Sequence, residues 1–275
     1  MDIGYFGPVG TYSQDAAEIF SKTKEKFNLI QFATIYDTLN AVKNKIIRHA
    51  VVPIENSIEG SVNATLDMLA ENEELRIEGE IQLQIKHNLL VKKGVNVKEI
   101  ELILSHPQAL AQCCKYIHRN FMGIEVRQTL STAEGAKQVA DSEGNWAAIA
   151  NIKAAEVYGL EVIAKSIQDE ENNVTRFVVV SLEDSEQMTG RDKTSIVFSA
   201  EDKPGSLYRI LDIFNLWDIN LTKIESRPVK NKLGRYIFYV DFEGHRNEQD
   251  IRDALTMVNR KTSFIRLLGS YPQIN

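Results

Sequence analysis

Apolar residues follow two alternating rhythms over the first two thirds of the chain. Short apolar or β-branched runs at 3–6, 28–33, 50–53, 101–104, 124–127 and 146–150 predict strands. Between them, helical spacing covers 13–23, 36–45, 61–71, 107–120, 131–141 and 152–158. This alternation predicts βαβ units and largely parallel sheets, hence an α/β fold. Residues 76–92 alternate apolar with polar, as in Ile81-Gln82-Leu83-Gln84-Ile85, and predict a strand that crosses from one sheet to another. A second apolar passage at 161–167 carries the chain back to end in 175–180. Two crossings imply two lobes around a cleft, the usual setting for a small ligand.

The pattern changes at 182–193, which is polar almost throughout and reads as a linker or exposed loop. Beyond it come a strand (195–200), a helix (205–216), two strands (221–226 and 236–242), a helix (248–258) and a strand (263–269). That βαββαβ order is a ferredoxin-like unit. The expected division is a domain at 1–182, a linker at 183–193 and a small domain at 194–275. Within the first domain, one lobe takes 1–76 and 164–182 and the other 77–163.

Composition narrows the class. The 275 residues carry 32 Lys and Arg against 38 Asp and Glu, a net charge of −6 with no dense basic run, which argues against a nucleic-acid surface. No apolar stretch reaches the ~20 residues that span a bilayer, and the first residues lack a signal peptide's regions. The two cysteines, Cys113 and Cys114, are neighbours in a helical pattern and suit a reducing cytoplasm. The five histidines show no metal spacing, and neither a nucleophile elbow nor a dinucleotide fingerprint is present. An enzyme of this sequence is expected to work without metal or redox cofactor, by positioning and hydrogen bonding.

Polar clusters fall at the carboxyl ends of several predicted strands, where open α/β sheets bind ligands. The first is Gly7-Pro8-Val9-Gly10-Thr11-Tyr12-Ser13, where Gly10 allows close backbone approach and Ser13 either caps the following helix or meets a ligand. Pro53-Ile54-Glu55-Asn56-Ser57 offers a carboxylate, an amide and a hydroxyl, although turn formation alone would use Asn56 and Ser57. Ser105-His106-Pro107-Gln108 opens a helix at Pro107, with Gln112 further along it. Ser131-Thr132-Ala133-Glu134 has the form of a capping box. Asn172-Asn173-Val174-Thr175-Arg176-Phe177 leads into Val178-Val179-Val180 and sets a hydroxyl and a guanidinium at the mouth of a buried strand. Arg176 either holds a carboxylate bidentately or sits in an ordinary salt bridge.

Taken together and in this order, these segments resemble the prephenate dehydratase family over nearly the full chain. In the last third, Glu225-Ser226-Arg227-Pro228 resembles the phenylalanine-binding signature of the family's ACT domain. Pro204-Gly205-Ser206-Leu207-Tyr208 matches the other, glycine-centred signature, departing from it at Ser206 and Tyr208.

The resemblance implies a two-lobed catalytic domain like the type II periplasmic binding proteins, followed by an ACT regulatory domain. It implies conversion of prephenate to phenylpyruvate, water and carbon dioxide in L-phenylalanine biosynthesis. On the matching positions, Thr175 would donate a hydrogen bond to the leaving hydroxyl, with Glu55 as the alternative proton source. Thr11, Asn56, Ser57, Ser105, Gln112, Ser131, Thr132, Arg176 and Phe177 would shape the substrate site. Phenylalanine would bind through Gly205, Ser206, Leu207, Asn220, Leu221, Glu225, Ser226, Arg227 and Pro228, at an interface of a homodimer or homotetramer. Two other readings are an arogenate dehydratase and a non-catalytic two-lobed amino-acid sensor. A chain starting at its first strand is not expected to carry a fused chorismate mutase.

Overall fold

The computed structural model describes residues 2–23, 27–228 and 236–274; residues 229–235 and 275 of the expected small domain lie outside these. Among the described residues two sheets form, one of ten strands and one of five. In the five-stranded sheet, Leu102–Ser105 lies parallel between Glu125–Gln128 and Trp146–Ala150. Asn88–Val91 and Glu161–Ala164 extend it antiparallel.

The large sheet begins with Asn28–Phe32, Asp2–Phe6 and His49–Asn56 in parallel. Val174–Ser181 then inserts antiparallel between His49–Asn56 and Arg76–Gln84. This strand is apolar because both of its faces are covered. Phe177 and Val179 pack with Ile3, Tyr5 and Phe20 under helix Tyr12–Lys22. Val178 and Val180 pack with Leu39, Leu66, Tyr239 and Tyr271 on the other face. Each such buried side chain contributes about 1.5–3 kcal/mol.

The small domain has the expected βαββαβ order, with its sheet running Leu221–Pro228, Tyr236–Glu243, Asp192–Ser199 and Phe264–Ile274. Its last strand is longer than the apolar pattern suggested. It continues past Gly269 and pairs in parallel with Arg76–Gln84 through Gln273 and Ile274, which fuses the small domain's sheet to that of the first lobe.

Several boundaries differ from expectation. Segment 76–92 is not one strand: Arg76–Gln84 belongs to the large sheet and Asn88–Val91 to the small one, so the crossing falls at 85–87 rather than near 77. The return crossing occupies 165–173. The helix expected over 107–120 breaks at Cys113 into Pro107–Gln112 and Cys114–Asn120. The linker is ordered by side chains: Asp192 accepts hydrogen bonds from the Thr189 N–H and hydroxyl at 2.7 and 2.8 Å, and Asp192 and Lys193 already belong to a strand.

Gly269 makes the fusion of the sheets possible, because a Cβ there would lie 2.1 Å from the Ile77 carbonyl oxygen. Backbone cannot yield as a flexible side chain can. Gly269→Ala is therefore expected to destabilise the protein by about 1–3 kcal/mol. A thermal melt should show a lowered Tm, and an unchanged Tm would refute this packing of strand on strand.

Candidate active site

A cavity of about 720 Å³ opens between the lobes. Its floor is built by Thr175 and Phe177 of strand Val174–Ser181 and by Pro53 and Asn56 of the neighbouring strand. Gly7, Pro8, Thr11 and Tyr12 form the first-lobe wall, while His106, Gln108, Gln112, Ser131 and Thr132 face them from the second lobe. Gly10 has φ +88°, and a Cβ there would meet the Ala154 Cα at 3.2 Å, so glycine lets this loop abut the second lobe.

The floor carries a hydrogen-bond chain whose directions are fixed from one end. Asn56 Oδ1 accepts from the N–H groups of Ile58 and Glu59, both at 3.0 Å, so its Nδ2 must face the other way. Nδ2 donates to Thr175 Oγ1 at 2.8 Å and to Asn173 Oδ1 at 2.7 Å. Asn173 Nδ2 in turn donates to Gln112 Oε1 at 2.8 Å, and His87 Nε2 lies 2.9 Å from that same oxygen. The Thr175 hydroxyl thus accepts from the protein and keeps its own proton for a ligand.

The walls add helix N-termini. Ser131 Oγ accepts from the Glu134 N–H at 3.0 Å, as a capping box requires, although Glu134 reaches back to the Leu130 N–H instead of that of Ser131. Thr11 provides no side-chain cap to helix Tyr12–Lys22, since its hydroxyl donates to the Pro8 carbonyl at 3.0 Å. The leading N–H groups of that helix are left for an anion or water. Burial lowers the pKa of both His87 and His106, which favours their neutral forms. Lys137, exposed on the second-lobe wall, supplies a positive charge.

Four expected site residues stand elsewhere. Ser105 is fully buried and its hydroxyl donates to the Ile149 carbonyl at 2.6 Å, fastening two strands together. Ser57 ties the return crossing, accepting from the Val174 N–H at 2.9 Å and donating to the Asn172 carbonyl at 3.0 Å. Arg176 lies on the opposite face of its strand from Thr175, because successive side chains alternate. Glu55 joins it on that side through a register shift between the two strands, Arg176 pairing with Glu55 and Phe177 with Pro53. Arg176 is bonded to Asp241 of the small domain, with Glu55 at 3.3 Å and Glu80 at 3.5 Å. Burial opposes its charge, yet Asp241 and Glu80 hold the guanidinium above its usual pKa. The guanidinium thus sits in a salt-bridge network and does not line the cavity.

Lys193, 2.7 Å from Glu80, and Lys223, 3.4 Å from Glu55, complete this seam of three cations and three carboxylates. Next to it, Glu225 accepts from the Ser61 hydroxyl at 3.2 Å, and Arg227 lies 3.2 Å from Asp67. These two residues were expected to contact an effector and instead face the first lobe. The other expected effector residues lie on the small domain's surface. Asn220, Ser226 and Pro228 are exposed along or beside the sheet's edge strand, Gly205 is exposed at the start of helix Ser206–Leu216, and Ser206 is half-buried there. Leu207 and Leu221 pack partly on the core.

Sequence reasoning assigned no role to Asn173 or His87. Asn173 could have been found from strand periodicity, lying two residues before Thr175. His87 gave no comparable signal.

Family models match prephenate dehydratase over residues 3–185 and an ACT domain over residues 194–256. A prephenate dehydratase of Methanocaldococcus jannaschii is 43% identical over 272 residues, covering 98% of this chain and 97% of that protein. A bifunctional chorismate mutase/prephenate dehydratase of Aquifex aeolicus is 41% identical over 273 residues, covering 99% of this chain and 74% of that one. The crystal structure of a prephenate dehydratase from Arthrobacter aurescens in complex with L-Phe superposes with a TM-score of 0.90 at 35% identity, covering 99% of this chain and 90% of that one. Agreement along both the lobed domain and the C-terminal unit means that the chain belongs to the prephenate dehydratase family.

Proposed function

We propose that the cavity converts prephenate to phenylpyruvate, water and carbon dioxide, and that L-phenylalanine regulates it through the ACT domain. The observation that carries the reaction is the Thr175 hydroxyl, which accepts from Asn56 and has its proton free toward the cavity. As the ring C–carboxylate bond breaks, its electron pair enters the ring and the ring hydroxyl leaves. Negative charge grows on that departing oxygen, a hydrogen bond from Thr175 stabilises it there, and a proton taken up from solvent completes the water. No carbon-bound proton has to be removed, so the site needs no strong base. Substrate carboxylates are held by the helix N-termini at Thr11 and Ser131–Thr132 and by Lys137, since Arg176 is committed to the seam. Phe177 supplies an apolar surface for the ring.

The enzyme acts in the cytoplasm as a homodimer or homotetramer. Leu221–Pro228 is an edge strand whose exposed side chains alternate through Thr222, Ile224, Ser226 and Pro228. Exposed Tyr208, Leu216 and Tyr236 add apolar surface to this domain. Such a surface suits a second copy with phenylalanine bound between the two, in contact with Gly205, Ser206, Leu207, Asn220, Leu221, Ser226 and Pro228. Lys223, Glu225 and Arg227, projecting from the same strand toward the first lobe, carry the effect to the cavity.

Thr175→Ala should lower kcat for phenylpyruvate formation by about 10²–10⁴-fold while the fold is retained. A kcat near that of the parent would remove Thr175 from the chemistry. Glu55→Gln should leave the shape of the pH profile of kcat unchanged, because this carboxylate meets Arg176 and Lys223 rather than the cavity. Loss of the fall in rate on the alkaline side of the profile would restore Glu55 as proton donor. Saturating phenylalanine should shift prephenate binding with a coupling of about 1–3 kcal/mol, and Glu225→Gln should weaken that coupling without altering the uninhibited rate. Equal coupling in the two proteins would exclude this strand as the route.

A further inference from the structure

His87 occupies the first crossing between the lobes and is 5% exposed. Its backbone is fixed, with the N–H donating to Gln168 Oε1 at 3.0 Å and the carbonyl accepting from the Ile167 N–H at 2.8 Å. The ring is therefore held against Gln112, with Nε2 2.9 Å from Oε1. The chain that starts at the Ile58 and Glu59 amides makes Asn173 a donor to this oxygen, so the Gln112 atom facing His87 is an acceptor. His87 Nε2 must then carry a proton, and Nδ1, buried and without a hydrogen-bond partner among the described residues, keeps the lone pair of the neutral ring. Two donors on Oε1 leave Gln112 only one amide orientation. Its Nε2, also buried and without such a partner, belongs to a side chain that lines the cavity.

We propose that His87 is a positioning residue for the dehydration. Its Nε2–H, together with Asn173, clamps the Gln112 carbonyl oxygen and thereby presents the Gln112 –NH₂ to a substrate oxygen. Without His87 a single donor remains on Oε1, and the Gln112 side chain is free to swing or to turn its amide over. Because the four amide and imidazole groups come from both lobes and both crossings, the clamp also sets the register of the Thr175 side of the cavity against the Gln112 side.

This inference rests on the prephenate reading, and its test separates the two. In His87→Leu, kcat should fall by about 100-fold, with KM moving much less. Glutamine places an amide –NH₂ near the position of Nε2, whereas asparagine reaches only as far as Nδ1. His87→Gln should therefore recover most of the rate and His87→Asn should not. A role in packing alone would not distinguish these two variants. The ¹⁵N spectrum of the ligand-free parent, with His87 assigned by its loss in His87→Gln, should show the Nε2–H tautomer and an unprotonated Nδ1. The proposal is overturned if His87→Leu retains kcat within about twofold, if the Gln and Asn variants are equally impaired, or if Nδ1 carries the proton. Should His87→Leu fail to fold, the Gln–Asn comparison and the spectrum decide. A parent inactive on prephenate would count against the function itself and leave the spectrum to judge the clamp.

Discussion

The alternation of side chains along one central strand is the constraint on which the rest depends. Strand Val174–Ser181 is paired on both edges, so its two faces cannot be exchanged without breaking two ladders at once. Thr175, Phe177 and Val179 face the cavity and the first helix, while Arg176, Val178 and Val180 face the second core and the ACT domain. A slip of one residue would put the guanidinium in the cleft and the hydroxyl in the seam. The polar residues set that register, since the apolar run Phe177–Val180 meets an apolar core on either side. The hydroxyl proposed for chemistry and the arginine of the seam are thus neighbours in sequence and opposites in space.

The seam on the far side is electrically balanced, with Arg176, Lys193 and Lys223 against Glu55, Glu80 and Asp241. A buried network of this sort adds little net stability over an apolar replacement, but removing one member strands a charge at a cost of about 3–5 kcal/mol. Its effect is to specify one docking arrangement between domains. Hydroxyls extend the network: Ser195 donates to Asp241 at 2.5 Å and shares a 2.5 Å hydrogen bond with Tyr271. The apolar contact of Tyr239, Leu268 and Tyr271 with the first lobe's core supplies the area that holds the domains together. Charge supplies the register.

Much of the fold was legible because it is written in local periodicity. Strand 146–150 and helix 152–158 were read to the residue, and the βαββαβ order followed from the pattern alone. What escaped depends on partners far away in sequence. Nothing local could show that Arg76–Gln84 and Asn88–Val91 join different sheets, or that Gln273 would pair beside Glu80. At the cavity, motif proximity grouped Thr11, Asn56, Gln112, Ser131, Thr132, Thr175 and Phe177, which line it, but could not tell which face of a strand a residue occupies. Glu55 and Arg176 were grouped with their neighbours for that reason. Applying the period of two to Thr175 would have moved Arg176 away from the cavity and drawn Asn173 into it, whereas the place of Glu55 depends on a register shift between strands that no local pattern shows. Ser105 marks a different limit, since a hydroxyl bonded to a strand carbonyl looks the same in sequence as one that waits for substrate.

The geometry also restricts how regulation can act. The ACT domain is joined to the first lobe by a backbone ladder at Gln273 and Ile274 as well as by side chains, so free rotation of one domain on the other would break main-chain hydrogen bonds. An effector changes the cavity only by binding two arrangements with different affinity. Those arrangements must therefore differ where side chains, not backbone, make the joint. Strand Leu221–Pro228 meets that condition, because it lies at the edge of the sheet farthest from the ladder, with one face exposed and the other clasping Glu55, Ser61 and Asp67. Glu55 adjoins Asn56, and Asn56 holds the Thr175 hydroxyl. On the proposed route, a small displacement of the edge strand would reach the Thr175 hydroxyl through two adjacent residues of one strand, with the ladder at the far side as the fixed point.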